Sequence, residues 1–259
     1  MYLQETINSI LSQTFQDFEI VTVDDGSTDK TNEIIKQNIE KNNKIILIQS
    51  KNKGVNKAFE LGILHTNSDI IIRIDSDDLM YNSRIEHQFD FLCRNIEIDV
   101  AGSWVNKFNA RGVFSYSDKF PLAPFNVKLF FNLFNQIANP TIIARKKVFE
   151  NYLFKEYRIG EDLDFFLHIL SNGFQIGNIP CVTTKYRIHD NQATNTNTND
   201  LNKNIKIIYK SHKKNLINAG VNKEWIDFGF KFRDGVDLEQ TRKLIKKYLK
   251  VMIKLEKTL

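Results

Sequence analysis

Over the first two thirds of the chain, short apolar runs alternate with stretches whose apolar residues recur at helical spacing. "FEIVTVDD" (18–25), "KIILIQS" (44–50) and "DIIIRID" (69–75) read as buried strands. "TDKTNEIIKQNIEK" (28–41), "GVNKAFELGILHT" (54–66) and "SRIEHQFDFLCRN" (83–95) read as helices, the last with Ile85, Phe89 and Leu92 on one face. This alternation predicts an α/β fold, a mainly parallel sheet flanked by helices. Such sheets carry their chemistry in the loops beyond the carboxyl ends of the strands. Asp24–Asp25 and Asp75–Asp78 stand at two such ends.

Beyond residue 97 the pattern loosens. "IDVAGSWV" (98–105), "GVFSYS" (112–117) and "PTIIAR" (140–145) suggest strands, and "FNVKLFFNLF" (125–134) an aromatic helix. "EDLDFFLHILSNG" (161–173) is a helix stopped by Gly173, followed by the strands "FQIGNIP" (174–180) and "VTTKYRIH" (182–189). The expected organisation is a domain over 1–190, a polar linker over 191–200 and a basic helical appendage over 201–259. Within the domain, the regular alternation covers 1–97 and the looser pattern 98–190.

Composition changes this picture in one respect. The net charge is +5, yet from Asp200 onward 15 Lys and Arg face 7 Asp and Glu, so the basic character belongs to the tail. Residues 238–257 add an apolar stripe (Leu244, Ile245, Leu249, Met252, Ile253) among lysines, which suits an anionic membrane surface or core packing. The tail has no nucleic-acid-binding module, so no nucleic-acid partner is expected. Two cysteines, Cys93 and Cys181, offer neither a disulfide framework nor a zinc pattern. The opening "MYLQETINSI" lacks a signal-peptide pattern. The expected location is therefore cytoplasmic, with peripheral contact at the inner face of the plasma membrane.

Four motifs carry candidate chemistry. In "VDDGSTDKT" (23–31), Gly26 permits a turn and Ser27 or Thr28 can cap the next helix, which leaves Asp25 free to meet a nucleobase or ribose. In "IDSDD" (74–78), alternate carboxylates after an apolar strand can share a hard divalent cation that keeps positions open for phosphates; a solvated acidic turn is the plainer use. In "GEDLDFF" (160–166), Glu161 and Asp162 suit the positive end of a helix, and Asp162 could equally be a general base. In "KYRIHDN" (185–191), Arg187 and His189 share one face of a strand, which suits a diphosphate and its metal; a polar strand edge is the commoner use of such a pair. The remaining histidines sit in helical patterns and suggest no role.

Taken in order, these elements resemble the family 2 glycosyltransferases of bacterial cell-surface polysaccharide or lipooligosaccharide synthesis. The resemblance runs from about residue 2 to 192 through "INSILSQTFQDFEIVTVDDGSTDKT", "NKGVNKAFELGI", "IRIDSDD", "RIEHQFDFL", "NPTIIARKKVF", "GEDLDFFLHILSNG" and "YRIH". It implies a GT-A fold, a nucleotide diphosphate sugar donor (a UDP-sugar), a divalent cation (Mn or Mg), and a glycan or lipid-linked acceptor. By position, Asp25, Asp75, Asp77 and Arg187 would hold the nucleotide sugar. Asp77, Asp75 and His189 would hold the metal, and Asp162, with Glu161 beside it, would be the base of an inverting transfer. Asp78 matches a frequent third acid, and Asn139 stands where relatives often carry histidine. Relatives place an apolar central strand ahead of the helix "YLQETINSILSQTF" (2–15), so that first strand is expected to be missing from the chain as given. Two rival readings are a GT-A-like binding module without activity and an Asp-x-Asp phosphatase. The latter motif usually lies on the first strand and is followed by Thr or Val, whereas Asp78 follows here.

Overall fold

The computed structural model describes residues 2–51, 53–109, 111–150, 152, 160–190, 192 and 198–233. Helix α1 (Leu3–Leu11) leads into β1 (Ile20–Asp24), α2 (Thr31–Ile39), β2 (Ile45–Gln49), α3 (Val55–Leu64) and β3 (Ile70–Ile72). A loop of acids then reaches β4 (Leu79–Met80) and α4 (Arg84–Arg94). The second half holds β5 (Val100–Asn109), β6 (Phe114–Asp118), α5 (Pro124–Phe130), β7 (Ile143–Arg145), α6 (Glu161–Ser171) and β8 (Ile176–Ile188). Two further helices follow, α7 (Thr198–Asn218) and α8 (Lys223–Arg233).

The sheet is mixed, which corrects the expectation of a mainly parallel one. β1 and β2 pair in parallel on their own, while β3-β7-β5-β8-β4 form a second sheet with β6 added on β5. In that second sheet β5–β8 is parallel, and β3–β7, β5–β7, β5–β6 and β4–β8 are antiparallel. The reason lies in the connections. Parallel neighbours need long crossovers, usually helical, and the chain reaches β4 and β6 through loops alone, while α5 and a 3₁₀ turn bring it to β7. Among the described residues the outer edges of β1 and β3 pair with no strand, and both border a cleft of about 1460 Å³.

Pro180 was read as the end of a strand, yet β8 runs through it. Pro lacks an N–H for the ladder, and the pairing slips there: Ser103 faces Ile179 but Trp104 faces Val182. The bulge joins a buried half, Ile176–Ile179, to a half that ends at the acid loop.

Three apolar cores hold the layers together. One packs α1, α2, β1 and β2 through Ile7, Ile10, Ile20, Ile35 and Ile45. A second, small core joins Leu92 of α4 to Ala101, Ile143 and Ile179. The largest is built on α5, α6 and the sheet, and it includes Ile208, Tyr209, Leu216, Trp225 and Ile226. The segment expected as a basic appendage thus shares the main core from Ile208 to Ile226, and α7 already begins at Thr198, inside the stretch read as a linker. On α7, Lys203, Lys206, Lys210 and Lys214 are exposed while Ile208, Tyr209 and Leu216 face inward, so a basic count and a buried face share one helix. A buried polar contact adds to this seam, His212 Nε2 lying 2.9 Å from Asp164 Oδ1, while Tyr152 donates to Asp164 Oδ2 at 2.8 Å. His212 was passed over because a histidine inside a helical pattern carries no partner in the sequence. The stripe over 238–257 lies outside the described residues. Among those described, no helix is long and apolar enough to cross a membrane.

Trp225 tests whether the C-terminal helices belong to the core. Its ring is 1% exposed, its Nε1 donates to the Leu129 carbonyl at 2.8 Å, and Asn132 donates to its own carbonyl at 2.6 Å. Trp225→Ala should cost about 3–5 kcal/mol, as for a large buried aromatic, read by urea unfolding. A change under about 1 kcal/mol would show that α8 is dispensable to the fold.

Candidate active site

The acid loop from Arg73 to Asp78 is pinned from both sides. From α1, Thr6 Oγ1 lies 2.9 Å from the Ser76 carbonyl and 2.8 Å from that of Asp78. Ser9 Oγ accepts the Met80 N–H at 3.1 Å, and Gln13 Nε2 donates to the Tyr81 carbonyl at 2.9 Å. From β8, the Arg187 N–H donates to Asp78 Oδ1 at 2.8 Å. Asp78 is only 1% exposed, and its Oδ2 has no hydrogen-bond partner among the described residues. Burial, backed by the charges of Asp75 and Asp77, pushes its carboxyl up to about 8 against the pull of the Arg187 N–H. Below the loop Arg84 is fully buried and donates to Gln88 (2.9 Å), Thr184 (2.9 Å) and the Arg73 carbonyl (2.7 Å). Burial draws its guanidinium down to about 9, still charged at neutral pH.

Asp77 and His189, far apart in sequence, meet at this loop: His189 Nε2 lies 2.8 Å from Asp77 Oδ2. Both line the cleft, as does Asp75. Asp75 is turned toward Arg73, whose Nε and Nη2 each lie 3.3 Å from Asp75 Oδ1. Among the described residues no group of three or more His, Cys, Asp or Glu is gathered to hold a metal ion. The donor chemistry still fits one. A carboxylate and an imidazole open together onto the cleft, leaving the remaining positions of a hard cation to phosphate oxygens.

Arg187 differs from its expected place at a diphosphate. It is 3% exposed and stacked between the rings of Tyr2 and Phe108, at 4.2 and 4.6 Å. Its Nε donates to the Asp77 carbonyl at 2.8 Å and its Nη2 to Glu5 at 2.8 Å. As packed, this side chain fixes the backbone that presents Asp77. Strand alternation foresaw that Arg187 and His189 act together, and both converge on Asp77.

Across the cleft stands the start of α6. Gly160 takes φ +93°, a left-handed turn that favours glycine, and it lets Glu161 and Asp162 enter the helix facing the cleft. Asp162 Oδ2 accepts from Asn135 Nδ2 at 3.0 Å, and Oδ1 accepts the Leu163 N–H at 2.8 Å. A helix start alone would favour the ionised acid; here burial outweighs that and Asp75 adds to it, so the Asp162 carboxyl lies above its ordinary range although Arg73 opposes the shift. Glu161 is raised likewise, by burial first and then by Asp162.

Asp25 stands outside the cleft lining. Its oxygens accept the N–H groups of Lys53 (3.0 Å) and Gly54 (2.7 Å), so it fastens the loop ahead of α3. The turn before α2 is closed by Asp24, which accepts from Ser27 and Asn32 at 2.9 Å each, and by Asp29 at the Thr31 N–H, 3.0 Å; neither Ser27 nor Thr28 caps the helix.

Arg73 is the site residue that sequence reasoning missed. Its guanidinium lies 4.8 Å from the centre of the Phe59 ring and faces the Asn139 amide, which, with its oxygen assigned toward the arginine, accepts from Nη1 and Nη2 at 3.0 and 3.2 Å. It therefore links the acid loop to the 139–141 turn and acts on both Asp75 and Asp162. A lone arginine inside the apolar run "DIIIRID" was the available signal.

Asp78 sets a pH dependence. A carboxyl near 8 in the fold and 3.8 as its ordinary value binds a proton in the native chain that the unfolded chain has released between those limits. The stability this contributes is present below about pH 4 and lost as pH rises through about 8. In metal-free buffer, Asp78→Asn should melt little differently from the parent at about pH 4, and its advantage should grow through pH 5 to several degrees at pH 8.5. Equal offsets at the two ends of this range would show that Asp78 is not protonated in the fold.

The sequence profile described as "Glycosyl transferase family 2" matches residues 1–155. An uncharacterized glycosyltransferase of Haemophilus influenzae is 28% identical over 238 residues, covering 87% of this chain and 72% of its own length. One from Rickettsia felis is 35% identical over 195 residues, which are 74% of this chain but 31% of that protein, so the chain spans under a third of that relative. Among solved structures, S. aureus TarS 1–349 in complex with UDP-GlcNAc superimposes with a TM-score of 0.71 at 20% identity, over 93% of this chain and 74% of that one; this is a likeness of fold. With its residues 1–155 matched, the chain belongs to glycosyl transferase family 2.

Proposed function

We propose that the chain transfers a sugar from a UDP-sugar to a hydroxyl of a glycan or lipid-linked acceptor, with inversion, in cell-envelope polysaccharide synthesis. One observation carries this reading. A single cleft of about 1460 Å³ has Asp75, Asp77 and His189 on one wall and Glu161 and Asp162 on another. That separates a diphosphate-facing group from a proton-accepting group within one open volume. The complex of S. aureus TarS with UDP-GlcNAc supports a UDP-sugar donor.

In this reading the acceptor hydroxyl gives its proton to Asp162 Oδ2 as its oxygen attacks the anomeric carbon. The bond from that carbon to the diphosphate breaks on the opposite side, and the nucleoside diphosphate leaves with the electron pair. Asn135 holds Asp162 in place, and burial makes the carboxylate a stronger base than a free aspartate, which brings it closer to working pH. Asp77 and His189, with Asp75, would hold a divalent cation, which when bound supplies positive charge to the leaving diphosphate. Arg187 keeps the Asp77 carbonyl fixed, and Arg73 keeps Asp75 and Asn139 in register. Asp25 would act on the nucleotide through the loop it fastens or by exchanging that loop for the base.

Two variants test the halves separately. Asp77→Asn should remove the gain in UDP affinity that Mn²⁺ gives in titration calorimetry, because an amide is a weak ligand for a hard cation. Retention of the full Mn²⁺ gain would exclude Asp77 as a ligand. Asp162→Asn should keep donor affinity within about twofold and lower transfer by about 10²–10⁴-fold, the range for a lost general base. In the parent, kcat/KM should fall on the acid side through a group above the ordinary aspartate range, a limb absent from the variant's residual rate. Transfer by Asp162→Asn at near the parent rate would leave it a helix-start acid only. Release of inorganic phosphate without sugar transfer would favour the phosphatase reading.

A further inference from the structure

The cleft does not end at the acids. It continues onto the open face of β8, β5 and β6, where Val105, Lys107, Asp118 and Tyr186 line it together with Phe120 and Phe134. Tyr186, Lys107 and Tyr116 are direct cross-strand neighbours and form one row. The Lys107 ammonium lies 5.6 Å from the centre of the Tyr186 ring and 4.9 Å from that of Tyr116. It donates to the Tyr116 hydroxyl at 3.2 Å and pairs with Asp118 Oδ2 at 2.7 Å. The pair is only partly exposed, at 22% and 36% of the side chains.

Two aspects of this row ask for a ligand. Tyr116 at the outer end of the row is 51% exposed and Phe134 on the cleft wall 57%, so both keep large aromatic surface in water. The charged pair is also held taut by partners on three strands, which a loose surface ion pair is not. Lys107 and Asp118 nearly cancel each other, so the row offers no field for a polyanion. Side by side they offer strong donors and a strong acceptor, next to aromatic faces. A pyranose ring matches that set: its C–H face lies on an aromatic ring, one hydroxyl donates to the carboxylate, and its neighbour accepts from the ammonium.

We propose that Tyr116, Lys107 and Asp118, with Tyr186 behind them, form a subsite for a neutral sugar ring bearing adjacent hydroxyls, and that this ring belongs to the acceptor. The second half of this statement rests on the reading of Asp162 as the base; the binding of the sugar does not. Placement supports both. Tyr186 is half-buried at the inner end of the row and lines the cleft together with Asp75, Asp77 and Asp162. A ring seated on the row therefore lies between open solvent and the acids, where an acceptor chain would enter.

The test uses the full chain and saturation-transfer NMR with methyl β-glucoside, methyl β-galactoside and methyl α-mannoside, each with UDP and Mn²⁺ present. At least one glycoside should take up saturation on its ring protons. The signal should vanish in Tyr116→Leu and weaken at least tenfold in Asp118→Asn, while UDP affinity in both variants stays within twofold of the parent. Both positions are solvent-facing, and a melting curve for each variant reports that the fold is kept. No saturation of any glycoside, or a signal unchanged in both variants, overturns the subsite. So does glycerol phosphate that displaces the glycosides and loses its hold in Lys107→Met, because that would mark an anion site. Failure of the parent to bind UDP would sink the donor reading alone and leave the glycoside result standing.

Discussion

The hydrogen bond from the Arg187 N–H to the buried Asp78 carboxyl is the contact on which the rest of the site depends. It joins the end of β8 to a loop more than a hundred residues earlier, inside a region where an unpaired acid is costly. Because Asp78 is fixed there, Asp77 on one side of it must face the cleft, and His189 two residues beyond Arg187 must meet it. Thr6 and Ser9 of α1 hold the same loop from behind. The acids tolerate one another's closeness through this packing: Arg73 compensates Asp75, His189 meets Asp77, and Asp78 binds a proton.

Local structure was legible wherever the chain repeats a period. The strands before the acid loop, the helix from Arg84 with Ile85 and Leu92 buried, and the helix that begins at Glu161 all follow from spacing. Strand direction was not legible, because parallel and antiparallel ladders use the same alternation of side chains. β7 runs against β5, and the turn ahead of it is held by Gln88 and the Ser103 N–H at Thr141, contacts that no window of sequence contains. The C-terminal helices were misjudged for a related reason. Charge is counted over all faces of a helix, whereas burial is decided by one, and Ile208, Tyr209, Leu216 and Trp225 occupy that face.

In the site, Asp75, Asp77, Asp162 and His189, singled out by residue type and motif order, all line one cleft. Residues whose part depends on what they touch could not be read in this way. Arg187 looks like a phosphate ligand in sequence and is packed as a clamp on the Asp77 backbone, since Tyr2, Phe108 and Glu5 enclose it. Arg73 and Asn135 take their importance only from partners 66 and 27 residues away, Asn139 and Asp162.

The bulge at Pro180 gives β8 a division of labour. Upstream of it, Ile176 and Ile179 lock into the cores; downstream, Thr184 and Arg187 brace the acid loop. Register on the two sides is set by separate ladders, and the pairing slips twice between them, by two residues at Pro180–Cys181 and by one at Thr183. A core substitution that shifts the upstream half by a fraction of a step is therefore absorbed at Pro180–Cys181. The strand can drift in its interior over evolutionary time while the histidine at its far end stays aimed at the same aspartate.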